Sequence, residues 1–82
     1  MTNFKEIDRD HIWHPYQPLH GANPSHLVNS AEGVMLQFND GQKVIDGMSS
    51  WWCAIHGYNH PVLNAAVTKQ LQSMAHVMFG GL

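Results

Sequence analysis

The sequence has 82 residues, of which 44% are hydrophobic and 12% charged, and its formal net charge is −2. A chain of this length builds at most one small domain, and three tryptophans require more burial than such a domain supplies, so we expect it to belong to a larger body. Its basic residues are scattered along the chain, which argues against a nucleic-acid partner. They are Lys5, Arg9, Lys43 and Lys69.

The cysteine, histidine and hydropathy patterns argue against an internal disulfide, a metal site and a membrane span. Cys53 is the single cysteine, so an internal disulfide is excluded, and we expect its small side chain to be buried. Two histidine pairs at helical spacing lack a cysteine pair or a His-Glu-x-x-His pattern, and prolines directly follow two of the seven histidines, so we predict no metal site. Residues 1–10 mix acids and bases and the sequence has no long apolar run, so we expect neither a leader nor a membrane span and predict a cytoplasmic protein without a membrane partner.

The first third of the chain has little periodicity. Residues 4–9 form a polar segment that we expect to hold a helical turn, and residues 11–16 form an aromatic cluster that contains Pro15. Such a cluster has to dock on another part of the protein. Residues 17–29 contain Pro18, Gly21 and Pro24, and we predict an irregular connector there.

The middle of the chain has strand-like alternation. Apolar residues alternate through residues 34–38, and an extended run resumes at residues 43–46 after Asp40-Gly41. We predict an antiparallel β-hairpin with a primed Asp-Gly turn, because primed turns match the strand twist and require positive φ. Two strands alone are marginally stable, so the hairpin should pack on a larger fold.

Residues after Asn59 predict a helix. His60-Pro61 is a typical helix start, since proline at the first helical position gives up no hydrogen bond. An apolar stripe then follows at i, i+4, i+8, i+11 and i+15, which predicts one long amphipathic helix that runs to Gly80-Gly81. The stripe consists of Leu63, Val67, Leu71, Met74 and Met78.

Two adjacent tryptophans, Trp51 and Trp52, lie among small and hydroxyl residues just before this helix. One interpretation is that they anchor a core, because large aromatic residues usually pack. The other is that they form a ligand wall, because an indole pair in a loop rich in glycine and serine offers ring faces and N–H donors. The flanking residues favour the wall.

Four strings carry a resemblance to a known family. They are His-Ile-Trp-His-Pro-Tyr at 11–16, Asp-Gly-Met-Ser-Ser-Trp-Trp at 46–52, His-Gly-Tyr-Asn-His-Pro at 56–61 and His-Val-Met-Phe-Gly-Gly at 76–81. In this order they resemble the N-terminal part of class III aminotransferases that depend on pyridoxal 5'-phosphate. The first two strings narrow the resemblance to the branch that acts in biotin biosynthesis.

The resemblance implies an α/β fold of type I, to which this chain contributes an antiparallel β-hairpin, one long helix and an irregular aromatic N-terminal segment. Residues 1–82 would be part of the minor domain, and the major domain that binds pyridoxal 5'-phosphate would lie outside this chain. The implied reaction transfers the amino group of S-adenosylmethionine to 8-amino-7-oxononanoate and gives 7,8-diaminononanoate. The implied assembly is a homodimer.

The resemblance also implies roles for individual residues. Trp51 would contact substrate, Trp52 would shape the same wall, and the Tyr16 hydroxyl would help to recognise the keto acid. A pocket wall of the partner subunit would contain Met74, Met78 and Gly80. No catalytic, cofactor-binding or metal-binding residue is expected in this chain, and no lysine in it lies in a context that matches the catalytic lysine, so we expect the 82 residues alone to be inactive.

Two alternatives stay open at this point. One is another class III aminotransferase with a different amino donor, such as lysine. The other is a small non-enzymatic binding module whose aromatic cluster and methionine-lined helix dock on a partner. Under either hypothesis the isolated segment would expose apolar surface, and we expect it to aggregate or to form a molten state.

Overall fold

A computed structural model describes residues 2–21 and 23–82. Its three strands form one antiparallel sheet in the order β1-β2-β3. Two helices flank the sheet in sequence, and one short helical turn lies between β3 and the last helix. In chain order the elements are α1 (Phe4–His11), β1 (Val28–Glu32), β2 (Met35–Phe38), β3 (Lys43–Ile45), α2 (Ser49–Trp52) and α3 (Pro61–Leu71).

Helix α1 confirms the predicted helical turn and extends it to His11. The Asn3 side chain caps its start by accepting a hydrogen bond from the Glu6 N–H at 3.3 Å. Glu6 lies in the first turn and Arg9 in the last, so both charges are placed favourably in the field of the helix dipole.

The sheet confirms the predicted hairpin and adds a strand to it. Strand β1 begins inside the segment predicted to be an irregular connector, and it pairs with β2 through a register shift between Val28 and Ser30. That shift interrupts the period-two alternation by which a strand is recognised in sequence. The cross-strand neighbours Ala31, Leu36 and Val44 are half-buried on one face of the sheet.

The hairpin loop between β2 and β3 differs from the primed turn that we predicted. The Gly41 N–H donates to the Phe38 carbonyl at 3.0 Å, and the Phe38 N–H donates to the Gln42 carbonyl at 2.8 Å. Positive φ occurs at Gly41, at +88°, and not at Asp40. This is a three-residue loop with glycine in the left-handed position, and the Asp40 carboxylate stabilises it by accepting from the Gln42 N–H at 2.9 Å.

Helix α3 begins as predicted and ends earlier. The His60 side chain accepts a hydrogen bond from the Val62 N–H at 3.2 Å, and Pro61 occupies the first turn. The prediction that the helix continues to Gly80-Gly81 is wrong, because α3 ends at Leu71. At its end, the Gln72 N–H donates to a carbonyl only three residues back, which tightens and closes the last turn.

The described residues 2–21 and 23–82 contain no fully buried side chain. The accessible surface is 7585 Å², against roughly 4,900 Å² for a compact protein of this mass. The radius of gyration is 16.4 Å, against about 12 Å for a compact chain of this length. The prediction that Cys53 is buried is therefore wrong, because its side chain is exposed together with most apolar residues.

Among residues 2–21 and 23–82, each helix is too short or too polar to span a bilayer.

Candidate functional site

The short helix α2 carries both neighbouring tryptophans and has an unusual backbone. Its four residues all have positive φ, at +49° for Ser49, +48° for Ser50, +55° for Trp51 and +76° for Trp52. The turn is therefore left-handed, although none of these residues is glycine. Left-handed conformation costs about 1–2 kcal/mol per non-glycine residue, so contacts around the turn have to hold it.

Asp46 supplies part of that support from the residue just after β3. Its Oδ1 accepts a hydrogen bond from the Met48 N–H at 3.1 Å, and its Oδ2 accepts one from the Ser50 N–H at 2.8 Å. One carboxylate thus satisfies one backbone donor just before the left-handed turn and one within it. Trp51 directly follows Ser50 in the chain.

Tyr58 approaches the same carboxylate from the far side of the loop. Its hydroxyl donates a hydrogen bond to Asp46 Oδ2 and is also hydrogen-bonded to Ser50 Oγ. The hydrogen bond from Tyr58, followed by the backbone N–H of Ser50, lowers the pKa of Asp46. The same hydrogen bond raises the pKa of Tyr58, because the charged carboxylate opposes deprotonation of the phenol.

The backbone of Tyr58 is fixed to the turn between β1 and β2. Its N–H donates to the Gly33 carbonyl at 2.8 Å, and the Gly33 N–H donates to the Tyr58 carbonyl at 3.0 Å. Gly57 makes the close approach possible, since a Cβ there would lie 3.1 Å from the Gly33 carbonyl oxygen. The sheet therefore positions the Tyr58 hydroxyl, which in turn contacts Asp46.

The structure brings two of the predicted site residues together. The rings of Tyr16 and Trp51 meet edge to face, with centroids 5.2 Å apart and planes at 66°. The tryptophan pair does not lie in a core formed by these residues, because Trp51 is 60% and Trp52 81% exposed. Tyr16 is 88% exposed, so the pair presents aromatic surface outward.

The segment before Tyr16 is held by two side-chain contacts. The Trp13 ring N–H donates to the Gln17 carbonyl at 2.9 Å, which closes the turn around Tyr16. His14 Nε2 lies 2.8 Å from Asp8 Oδ1 and 3.3 Å from Ser25 Oγ. Asp8 and Ser25 both contact the same ring nitrogen of His14. A catalytic triad needs the nucleophile on one ring nitrogen and the carboxylate on the other, so these contacts stabilise the segment and do not form a triad.

The remaining predicted residues lie after α3. Met74 and Met78 are 50% and 62% exposed, and the Met78 side chain lies beside Gly80. Met74 lines a shallow groove together with Val77 and Phe79. Their role as a pocket wall of the partner subunit stays a prediction.

Sequence reasoning missed the Asp46–Tyr58 contact. The two residues are separated in sequence and belong to no periodic pattern. The available signals were Asp46 directly after a strand and Tyr58 directly after Gly57, each a position that favours a turn or a close backbone approach.

The loop around Trp51 contains no amine for a covalent link to pyridoxal 5'-phosphate. No lysine or arginine occurs between residues 44 and 68, so the loop supplies neither an amine for the covalent link to the cofactor nor a guanidinium for its phosphate. In residues 2–21 and 23–82, no three metal-ligating side chains come together. What the loop offers is aromatic faces and hydroxyl groups.

Comparisons with known proteins agree on one family. Residues 16–82 match the family described as aminotransferase class-III. Two curated relatives are named adenosylmethionine-8-amino-7-oxononanoate aminotransferase. The one from Buchnera aphidicola subsp. Acyrthosiphon pisum is 57% identical over 76 residues, which cover 93% of this chain and 18% of the relative. The one from Corynebacterium glutamicum is 52% identical over 80 residues, which cover 98% of this chain and 18% of the relative.

The fold agrees with that match. A crystal structure of adenosylmethionine-8-amino-7-oxononanoate aminotransferase from Methanocaldococcus jannaschii superimposes with a TM-score of 0.83 at 26% identity, covering 96% of this chain and 18% of the other. The chain therefore spans about a fifth of the length of the relatives that it matches. The chain belongs to the class III family of aminotransferases, which depend on pyridoxal 5'-phosphate.

Proposed function

We propose that this chain forms the N-terminal part of an aminotransferase that transfers the amino group of S-adenosylmethionine to 8-amino-7-oxononanoate in biotin biosynthesis. The exposed Tyr16–Trp51 pair is the observation that carries the proposal. Pyridoxal 5'-phosphate, when bound, supplies the electron sink for amino-group transfer. The Trp51 loop contains no lysine for the covalent link to it, so we assign that amine to another part of the whole enzyme.

The chemistry of the two substrates suits this aromatic surface. An indole face attracts a sulfonium cation and stacks on an adenine, and the same face covers the methylene chain of a long keto acid. Trp51 provides that face, and Trp52 extends the same surface. One site can therefore accept both substrates in turn without a separate pocket for each.

Tyr16 adds one directed polar group at the edge of Trp51. The Tyr16 side chain is 88% exposed, which leaves its hydroxyl accessible to the keto acid. A hydrogen bond of this kind rejects analogues that lack its partner group more strongly than apolar contact does. We assign recognition of the keto acid to Tyr16 for that reason.

We also infer that the chain lies in the minor domain of a cytoplasmic homodimer. The excess of exposed apolar surface supports cover by further protein, whether from the rest of the enzyme or from the second subunit. Met74, Met78 and Gly80 form the part of this surface that we assign to the partner subunit's pocket. A separate non-enzymatic module is disfavoured by the match to one enzyme family over residues 16–82.

The test is an amination assay on the full-length enzyme that contains these 82 residues, with the 82-residue chain in parallel. We expect turnover of 8-amino-7-oxononanoate with S-adenosylmethionine in the full-length enzyme and none in the short chain. A second assay under the same conditions supplies lysine as the amino donor in place of S-adenosylmethionine. Turnover with lysine alone would overturn the proposed donor, and turnover with neither donor would overturn the proposed reaction.

A further inference from the structure

We propose that Asp46 and Tyr58 are positioning residues for substrate binding, because together they hold the left-handed turn that presents Trp51. The inference rests on the proposed function, in which Trp51 contacts substrate. It adds two residues that do not touch substrate in this proposal. Their effect on binding passes through the backbone of the turn.

The Asp46 carboxylate holds the start of the turn. Asp46 Oδ1 accepts from the Met48 N–H at 3.1 Å and Oδ2 accepts from the Ser50 N–H at 2.8 Å. Ser50 directly precedes Trp51 in the chain, and Met48 lies three residues before it. If the carboxylate moves, the backbone that carries Trp51 moves with it.

The Tyr58 hydroxyl holds the Asp46 carboxylate. The Tyr58 hydroxyl donates to Asp46 Oδ2, the same oxygen that accepts from the Ser50 N–H, and it also hydrogen-bonds Ser50 Oγ. Tyr58 is itself fixed by two backbone hydrogen bonds to Gly33. The sheet, the phenol, the carboxylate and the turn thus form one continuous chain of contacts.

The orientation of the Trp51 indole depends, in this proposal, on the support of the turn. Four consecutive non-glycine residues with positive φ relax toward right-handed conformations when their support is removed. Relaxation would turn the indole away from the Tyr16 ring, which it now meets edge to face at 5.2 Å. Loss of the Tyr58 hydroxyl should therefore weaken substrate binding while the chemical groups of the reaction stay in place.

The experiment measures steady-state kinetics of the full-length enzyme with Tyr58→Phe, which removes one hydroxyl. We expect KM for S-adenosylmethionine to rise about fivefold, the factor that corresponds to one lost hydrogen bond, with kcat within about twofold. Asp46→Asn is the second variant, and it should act in the same direction. Asp40→Asn is the matched control, because Asp40 also accepts a backbone N–H but in the β2–β3 loop.

A double-mutant cycle separates positioning from general stabilisation. In a Trp51→Ala background, Tyr58→Phe should leave KM unchanged, because the indole through which it acts is gone. A fivefold rise in both backgrounds, or no rise in either, would overturn the inference. If Tyr58→Phe did not fold, the same cycle with Asp46→Asn would decide.

A measurement without substrate keeps this inference distinct from the proposed function. The Trp52 N–H donates to the Met48 carbonyl and the Ala54 N–H donates to the Ser49 carbonyl. Amide hydrogen exchange at Trp52 and Ala54 should be about fivefold faster in Tyr58→Phe and unchanged in Asp40→Asn. Unchanged exchange at both amides in Tyr58→Phe would overturn the inference. Faster exchange in an enzyme that does not aminate 8-amino-7-oxononanoate would retain the positioning contact and overturn only the proposed reaction.

Discussion

The Tyr16 ring meets the Trp51 ring edge to face, with 5.2 Å between centroids and 66° between planes. Tyr16 is the last residue of the aromatic cluster at residues 11–16, and Trp51 lies in the left-handed turn after the sheet. Both residues have positive φ, at +57° and +55°. Two strained backbone positions therefore meet at one aromatic contact, which is the arrangement expected where a binding surface takes precedence over local stability.

Tyr16→Phe should distinguish the contribution of the Tyr16 ring from that of its hydroxyl, because phenylalanine keeps the ring and lacks the hydroxyl. The ring contact with Trp51 would remain, so S-adenosylmethionine should bind with an unchanged KM. The KM for 8-amino-7-oxononanoate should rise about tenfold, the range of a hydrogen bond worth about 1.5 kcal/mol. Steady-state kinetics of the full-length enzyme with each substrate varied in turn would check this, and equal rises for both substrates would contradict the assignment.

Gly57→Ala should destabilise the protein more than Gly41→Ala. Both glycines have positive φ, at +79° and +88°, so both substitutions carry the left-handed penalty. Only at Gly57 does the new Cβ meet backbone, 3.1 Å from the Gly33 carbonyl oxygen, while the space at Gly41 is open. In urea unfolding of the full-length enzyme, we expect Gly57→Ala to lose about 1–2 kcal/mol more than Gly41→Ala. Equal losses would show that the Gly33 contact is unimportant.

The Asp46–Tyr58 contact should stabilise the fold only between moderately acid and moderately alkaline pH. The pKa of Asp46 is lowered, so its contribution is full above the ordinary value of about 3.9 and is lost as pH falls through the lowered pKa. The pKa of Tyr58 is raised, so its contribution is full below about 10 and is lost as pH rises through the raised pKa.

The measurement is the difference in melting temperature between wild type and Tyr58→Phe from pH 3 to pH 11. We expect the difference to be largest from about pH 5 to pH 9 and to shrink at both ends. Asp40→Asn is the control, because the Asp40 carboxylate accepts from the Gln42 N–H and not from a tyrosine. The difference in melting temperature between wild type and this variant should not shrink at alkaline pH. A difference that stays constant across the range would contradict this account.

His60→Ala should weaken the start of α3. The His60 side chain accepts a hydrogen bond from the Val62 N–H, and alanine cannot replace it. A lost helix cap costs about 1 kcal/mol, whereas His60→Asn keeps an acceptor at the cap and should lose less. Urea unfolding of both variants in the full-length enzyme would test the order, and equal losses would assign the effect to something other than capping.

Local signals predicted the elements that depend on neighbouring residues. The alternation through residues 34–38 predicted β2, and His60-Pro61 predicted the start of α3, because each signal lies within one turn or strand. Strand β1 was missed because the register shift near Val28 removes the alternation. The end of α3 was missed because the apolar stripe continues past Leu71 although the helix does not.

The candidate site was predictable in part. The resemblance in sequence pointed to Tyr16 and Trp51, and the structure places them in contact. The left-handed turn could not be predicted, because serine and tryptophan have no intrinsic preference for positive φ and adopt it here under tertiary contacts. The Asp46–Tyr58 hydrogen bond likewise depends on the backbone pairing of Tyr58 with Gly33, which no local pattern encodes.

The most direct test of the central claim compares wild type and Trp51→Ala in S-adenosylmethionine-dependent amination of 8-amino-7-oxononanoate by the full-length enzyme. We predict turnover by wild type and a loss of about 100-fold in kcat/KM in the variant, because an aromatic face worth about 2–3 kcal/mol is removed. Trp51→Phe should retain part of that face and lose less. Equal kcat/KM in wild type and Trp51→Ala would contradict the claim that this tryptophan forms the substrate wall.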